Sequence, residues 1–279
     1  MSFVCAFFLS YAFHGLGITV GYHRLLSHRA FKVPRWLEYL IVSGAYLGFE
    51  GSPIFWVTAH RLHHRYSDQK GDPHSPRDGL WHAFIGWMYD RKMEITREQR
   101  LLTCPDLYRD KVYQALQIEP EGLDGLLCLV VCVIFRIVLY SLFGLPVLIG
   151  SLLGTLLAFA SPLLVNTLCH MPQLGYSTYS CRDQSRNVWY VAAVAFGEGW
   201  HNNHHAFPQS ARHGLRPLEL DLSWMVISLL RTIGLAKNIR LANGAHAQQE
   251  ENSDCPVPET TVTVEADAVE AASLSTTER

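Results

Sequence analysis

The chain has 279 residues, 49% of them hydrophobic, and a mean hydropathy of +0.08. Its formal charge is −2, yet residues 245–279 alone hold eight of the 25 acids and one of the 23 bases. The other 244 residues carry 22 bases against 17 acids, a net +5, with no basic stripe and interleaved aromatics standing apart from the apolar segments, which argues against a nucleic-acid partner.

Taken in chain order, residues 3–20 (FVCAFFLSYAFHGLGITV) read as a short membrane span. No basic n-region precedes it and no small-residue cleavage site follows, so a signal peptide is the weaker reading. Next comes HRLLSH, with His23 and His28 five apart. On a regular helix that spacing leaves them about 140° apart. The pair therefore either straddles a helix end or points at different metals.

Residues 36–58 (WLEYLIVSGAYLGFEGSPIFWVT) are apolar but interrupted by Glu38, Glu50, Gly and Pro. A crossing here would separate HRLLSH from the motif that follows. Trp36, Tyr39 and Trp56 suit an interfacial helix instead. Then comes AHRLHHRYSD, with His60, His63 and His64 at i, i+3 and i+4. On one helix face these three can aim their nitrogens at a single point.

Spans are expected near 124–143 and 145–167, separated by little more than FGLP. Arg136 inside the first must snorkel or find a partner. HNNHH then repeats the earlier pattern with His201, His204 and His205. Eight of the 14 histidines lie in the three motifs, which is too dense for incidental clustering. The seven cysteines include no CxxC pair, so neither a zinc ribbon nor a disulfide framework is expected. Histidine-rich, cysteine-poor sites suit iron, copper or zinc. Residues 1–244 read as one membrane-embedded domain, and 245–279 as a disordered acidic tail. Basic excess beside the apolar segments suits a cytosolic face.

HRLLSH, HRLHH and HNNHH, in this order around a membrane hairpin, resemble the membrane fatty acyl desaturases, most of all the acyl-CoA and cyanobacterial delta-9 type. GLGITVGYHRLLSHRAFK, WVTAHRLHHRYSD, GDPHSPRDG, FIGW and GEGWHNNHHAFP extend the resemblance over roughly residues 10–240. It implies an all-α integral membrane protein, with helical hairpins and a cytosolic helical cap holding a histidine-rich diiron site. NTLCH matches a further family element, so the implied ligands are His23, His28, His60, His63, His64, His170, His201, His204 and His205. Asn166 would reach a metal through water. Arg91 and Lys92 match a basic pair that meets the CoA head group. Glu198 and Asp68 are candidates to orient the imidazoles. His14, His74 and His82 fall outside the implied site, with His74 ordering the GDPH turn; His213 and His246 are expected to face solvent.

The implied reaction is an O₂-dependent insertion of a cis double bond, delta-9 by resemblance, into a saturated acyl chain, most simply an acyl-CoA. Removing hydrogens from an unactivated methylene needs activated oxygen and a redox metal, here two irons. No HPGG haem motif and no dinucleotide fingerprint occurs, so the electron donor is expected to be external, a cytochrome b5 or a ferredoxin. The membrane would be the endoplasmic reticulum in a eukaryote, or the cell or thylakoid membrane in a bacterium. A lipid hydroxylase shares this logic, and a glycerolipid-linked acyl chain is the alternative substrate. A non-catalytic metal transporter would place its ligands at mid-membrane depth. Members of this type carry two membrane helices before the first histidine motif, whereas 22 residues precede His23 here. Three spans are therefore expected, with the N-terminus on the far side from the site.

Overall fold

The first apolar run has no charge and no proline, so nothing interrupts a helix until past the first histidine. In the structure, a computed structural model describing residues 2–90, 95–117 and 126–242, α1 spans Phe3–Leu16 behind a Ser2 cap. It continues without a break as a wider, π-type winding over Gly17–Ser27, giving a 25-residue apolar rod. The rod runs seven residues past the end expected from sequence. Arg91, Lys92, His246 and the tail lie outside the described residues.

Two further rods follow the expected hairpin. α7 (Leu126–Phe143) and α8 (Leu145–Leu168) are long and apolar enough to cross a membrane, and Gly144 at φ 78° makes the return between them. α1 lies along α8 with the same polarity, and small residues make their close contact possible. A Cβ on Gly150 would sit 2.3 Å from the Phe3 carbonyl oxygen, and one on Gly154 2.2 Å from that of Phe7. This is the small-residue seam by which apolar helices associate when burial from water contributes little.

Residues 36–58 do not form a single interfacial helix. They make most of a hairpin of α2 (Arg35–Tyr46) and α3 (Pro53–Tyr66), broken where Phe49 and Gly51 take positive φ and Pro53 starts a new helix behind the Ser52 cap. The turn reaches the middle of α7. Cys132 Sγ donates to the Tyr46 carbonyl at 2.8 Å, and Arg136 Nη2 donates to that of Leu47 at 3.1 Å and to Thr155 Oγ1 at 2.8 Å. Arg136 thus finds partners rather than snorkelling, and its head also lies against the Phe49 and Phe135 rings. His14 donates from Nδ1 to the Gly44 carbonyl at 2.7 Å, closing α1 onto α2.

The remaining elements are short: α4 (Leu80–Phe84), α5 (Arg97–Thr103), α6 (Lys111–Gln117), α9 (Trp189–Val194), α10 (His201–Ala206) and α11 (Leu222–Thr232). No strand occurs among the described residues, only isolated bridges such as Lys32 to Lys237. The main core joins Ile18, Tyr22, Phe31, Val42, Ile54, Val57 and Ile227, at the end of the bundle where α1, α2 and α3 meet.

The helix seam makes a prediction. Gly154→Val drives a side chain into the Phe7 carbonyl, so α1 must shift from α8; overpacking of this kind costs about 1–3 kcal/mol. The purified variant should unfold at lower temperature than the parent, with Gly154→Ala intermediate. An unchanged unfolding midpoint for both would contradict the seam.

Candidate metal centre

Nine histidine rings converge at this end of the bundle, in two groups. His23, His28, His60, His64 and His204 offer nitrogens within 4.8 Å of one another, and so do His63, His170, His201 and His205. Winding decides the membership. His28 N donates to the His23 carbonyl at 3.1 Å, an i to i+5 bond. Residues five apart then stack on one face, and the His23 and His28 ring centroids lie 4.9 Å apart. Of the two readings left open by the spacing, the shared helix end holds, since His28 is the C-cap.

The expectation that His60, His63 and His64 meet at one point is corrected. Successive residues of an α-helix diverge by about 100°, so His60 and His64 join the five-ring group while His63 turns to the other. α10 mirrors this arrangement: His201 and His205 join the four-ring group and His204 crosses to the five. His28 and His60 Nε2 atoms are 2.7 Å apart, and His204 Nε2 lies 3.0 Å from His23 Nε2 and 2.9 Å from His64 Nε2. In the second group His201 and His170 Nε2 atoms are 3.0 Å apart.

Behind the rings stand carboxylates. His23 Nδ1 meets Glu198 at 2.5 Å, His63 Nδ1 meets Asp72 at 2.9 Å, His170 Nδ1 meets Asp68 at 2.9 Å and His205 Nδ1 meets Asp183 at 2.7 Å. Each acid fixes the proton on Nδ1 and leaves the Nε2 lone pair facing inward. Burial opposes ionisation of these acids, but the facing imidazoles outweigh it and hold Asp68, Asp72, Asp183 and Glu198 below the usual carboxylate range. Burial first, then repulsion among the rings, pushes His28, His60, His64, His201 and His204 well below the ordinary imidazole range. These are neutral, ligand-ready nitrogens. The donor set fits a first-row transition metal: the donors are imidazoles, with no thiolate, and the buried His63 Nε2 has no hydrogen-bond partner.

Asp68 and Glu198 therefore lie where the sequence suggested. Asp72 and Asp183 escaped notice, because one sits in a turn read as a loop and the other in CRDQS, which has no motif spacing. Arg24 was also missed. It is fully buried, grips Glu198 through Nη2 at 2.9 Å and Asp221 through Nη1 at 3.0 Å, and donates to the Ala211 carbonyl at 2.7 Å. His213 was expected at the surface and is instead 1% exposed. Its Nδ1 lies 3.3 Å from Glu198, because the Arg24 network folds residues 211–221 over the site. His74 does sit in its turn, buried against the His63 ring, and His82 donates to the Pro73 carbonyl outside both groups.

Between the two groups lies a small cavity. Its polar wall includes His23, His60, His63, His201, Glu198 and Asn166; its apolar wall is Ile18, Trp56, Pro162, Val165 and Ala195. Trp56 stacks on His60 with centroids 5.2 Å apart. Asn166 and His170, four apart at the end of α8, thus both reach the site region.

A family model described as fatty acid desaturase matches residues 1–225. The chain is 40% identical to delta-9 acyl-lipid desaturase 2 of Arabidopsis thaliana over 248 residues, 87% of this chain and 76% of that protein. It is 41% identical to the sn-1 stearoyl-lipid 9-desaturase of Synechocystis sp. over 240 residues, 85% and 71% of the two chains. Identity to an acyl-CoA 5-desaturase of Anemone leveillei is 36% over 258 residues, 90% and 76%. The nine converging imidazoles and these likenesses lead to one conclusion: the chain belongs to the fatty acid desaturase family and is an oxidoreductase acting on fatty acyl chains.

Proposed function

We propose that this desaturase holds two irons, one per histidine group, and places a cis delta-9 double bond in a stearoyl-length chain carried on a membrane lipid. The observation that carries the reading is the division of nine imidazoles into two neighbouring groups with a cavity between them. The reaction balances as one saturated –CH₂–CH₂– unit, O₂, two electrons and two protons giving –CH=CH– and two waters. Bound iron would supply the oxygen activation that no side chain can.

The chain's own residues do the rest. Glu198, Asp72, Asp68 and Asp183 hold the Nδ1 protons and thereby the ring orientations. Ile18, Pro162, Val165 and Ala195 form an apolar wall that excludes water and aligns an acyl methylene beside the rings. Asn166, on the same cavity, is assigned to one metal through a water molecule. The lipid-linked substrate is preferred to the acyl-CoA first suggested by motif resemblance because the two relatives near 40% identity are named for acyl-lipid substrates. The CoA alternative rests on Arg91 and Lys92, outside the described residues.

For topology, we propose that the three apolar rods cross the bilayer, that the α2–α3 hairpin enters and leaves on one side, and that the site is cytosolic. Residues 1–244 would form this one domain. The electron donor would be a cytochrome b5 or a ferredoxin.

Metal analysis of the purified protein should find two irons per chain, and His→Ala at any of the nine positions should abolish turnover. Asp183→Ala should lower iron occupancy or activity by about 10- to 100-fold; one zinc and no iron under iron-replete expression would refute the metal assignment. Accessibility tags after Phe31 and after Tyr66 should report the same side of the membrane, since opposite sides would make a common site impossible. Expression in a desaturase-deficient cell should yield a new cis monoene appearing in glycerolipid before the acyl-CoA pool. The monoene appearing first in acyl-CoA would move the substrate to the thioester, and a hydroxy acid would replace the desaturase by a hydroxylase.

A further inference from the structure

A second cavity lies outside the metal centre. It has a volume of about 510 Å³ and sits between the end of the Gly17–Ser27 winding, the start of α2 and residues 106–113. That size is in the range of ligand sites. It shares no lining residue with the cavity between the histidine groups. Its floor is Leu25, Leu26, Phe31 and Leu107, all buried. Its rim is charged, with Arg29, Lys32, Arg35 and Arg109 set among Glu38, Asp106 and Asp110.

The three acids are all engaged. Asp106 accepts from Arg29 Nε at 3.0 Å and from Arg61 Nη1 at 2.8 Å. Asp110 pairs with Arg35 and accepts from the Tyr39 hydroxyl at 2.9 Å and from the Val112 N–H at 2.8 Å. Glu38 pairs with Arg35 and accepts from the Tyr113 hydroxyl at 2.7 Å. Lys32 and Arg109 are exposed, and among the described residues neither side chain has a carboxylate partner. Four rim cations against three carboxylates leave one positive charge in excess, which matches a single phosphodiester. The cavity also adjoins an apolar face. Trp36 and Leu40, one helical turn apart on α2 just past Arg35, are 60% and 53% exposed. Tryptophan is a residue of the membrane interface, and Leu40 continues this face towards the turn that meets α7.

We propose that this cavity binds the head group of a singly charged anionic phospholipid of the phosphatidylglycerol class, its phosphate held by Lys32 and Arg109 and its acyl chains lying along Trp36 and Leu40. This lipid is a resident partner rather than the substrate, because the cavity is lined by none of the nine histidines. The inference rests on the proposed topology, in which the α2–α3 hairpin enters the bilayer. Leu25 and Leu26 lie between His23 and His28, and Arg61, which holds Asp106, also donates to the Leu26 carbonyl at 2.8 Å. A filled cavity therefore braces the segment that carries both rings. A free phosphate ion would satisfy the same two cations but would cover neither the apolar floor nor Trp36.

The test uses the full-length protein purified in detergent, with phosphatidylglycerol, phosphatidylcholine and inorganic phosphate as probes. Native mass spectrometry counts the bound lipid, and a thermal scan reads the unfolding midpoint. The parent should retain one phosphatidylglycerol per chain in preference to phosphatidylcholine, and that lipid should raise the midpoint. The double variant Lys32→Glu, Arg109→Glu should weaken retention by about tenfold or more and lose the midpoint shift. Val33→Trp, which fills the cavity and leaves its charges in place, should lose both as well. Lys70→Glu, exposed on the loop after α3, should match the parent. Equal retention of phosphatidylglycerol by the parent and the double variant would overturn the site, and so would equal retention of phosphatidylcholine by the parent. A midpoint shift from inorganic phosphate as large as that from the lipid would overturn the lipid and leave a phosphate site. A parent protein that stays soluble without detergent and does not enter phosphatidylcholine nanodiscs would instead remove the topology and the inference with it.

Discussion

An α-helix turns its side chains by about 100° from one residue to the next, and the centre depends on this. Neighbouring histidines such as His63 and His64 cannot serve the same point. A helix carrying both must lie between two points. α3 does so, with two rings to one side and one to the other. α10 does the same with the proportions reversed. The two helices must therefore turn their histidines toward each other, as the His64 and His204 rings do, and α1 and α8 must each bring a helix end to the same level. The bundle is the arrangement that satisfies all four placements.

Burying so many imidazoles is tolerable only while they are neutral and their second nitrogens are occupied. The carboxylates behind them meet the second condition but bring buried negative charge of their own. Asp68 and Asp72 also accept from backbone N–H groups, those of Gln184 and of Asp68 and His74. Glu198 is matched by Arg24, fully enclosed, which ties it to Asp221 and to the loop that carries His213. A buried ion pair of this kind does little for net stability, but removing either member strands a charge. Arg24 thus belongs to the centre as much as the ring beside it does.

Much of this was legible in the sequence. The three apolar rods lie close to where composition puts them, and the nine histidines singled out by spacing and resemblance converge, because hydrophobic length and histidine spacing are local properties of the chain. The division into two groups is not legible in the spacing, since i, i+3, i+4 marks one broad helix face and does not separate the two directions within it. The wide winding at Gly17–Ser27 was invisible because no residue type encodes it, and it alone brings His28 above His23. The α2–α3 hairpin was hidden for another reason. Its turn is stabilised by Arg136, about 90 residues further along, whose role nothing in α7 announces. Asp183 and His213 likewise gain their places only from long-range folding.

His23 and His204 touch across 181 residues of sequence. At a synthesis rate of about 5–20 residues per second, the first of these rings waits roughly 10–40 s for the second to be made. During that interval the nascent chain already exposes HRLLSH and then HRLHH, open nitrogen donors with no fixed geometry and nothing to choose among the metals they meet. Geometry, rather than raw affinity, separates iron from copper or zinc. For the metal centre proposed above, the choice of metal would therefore be a late step in biogenesis, taken only when α10 arrives to close both groups at once.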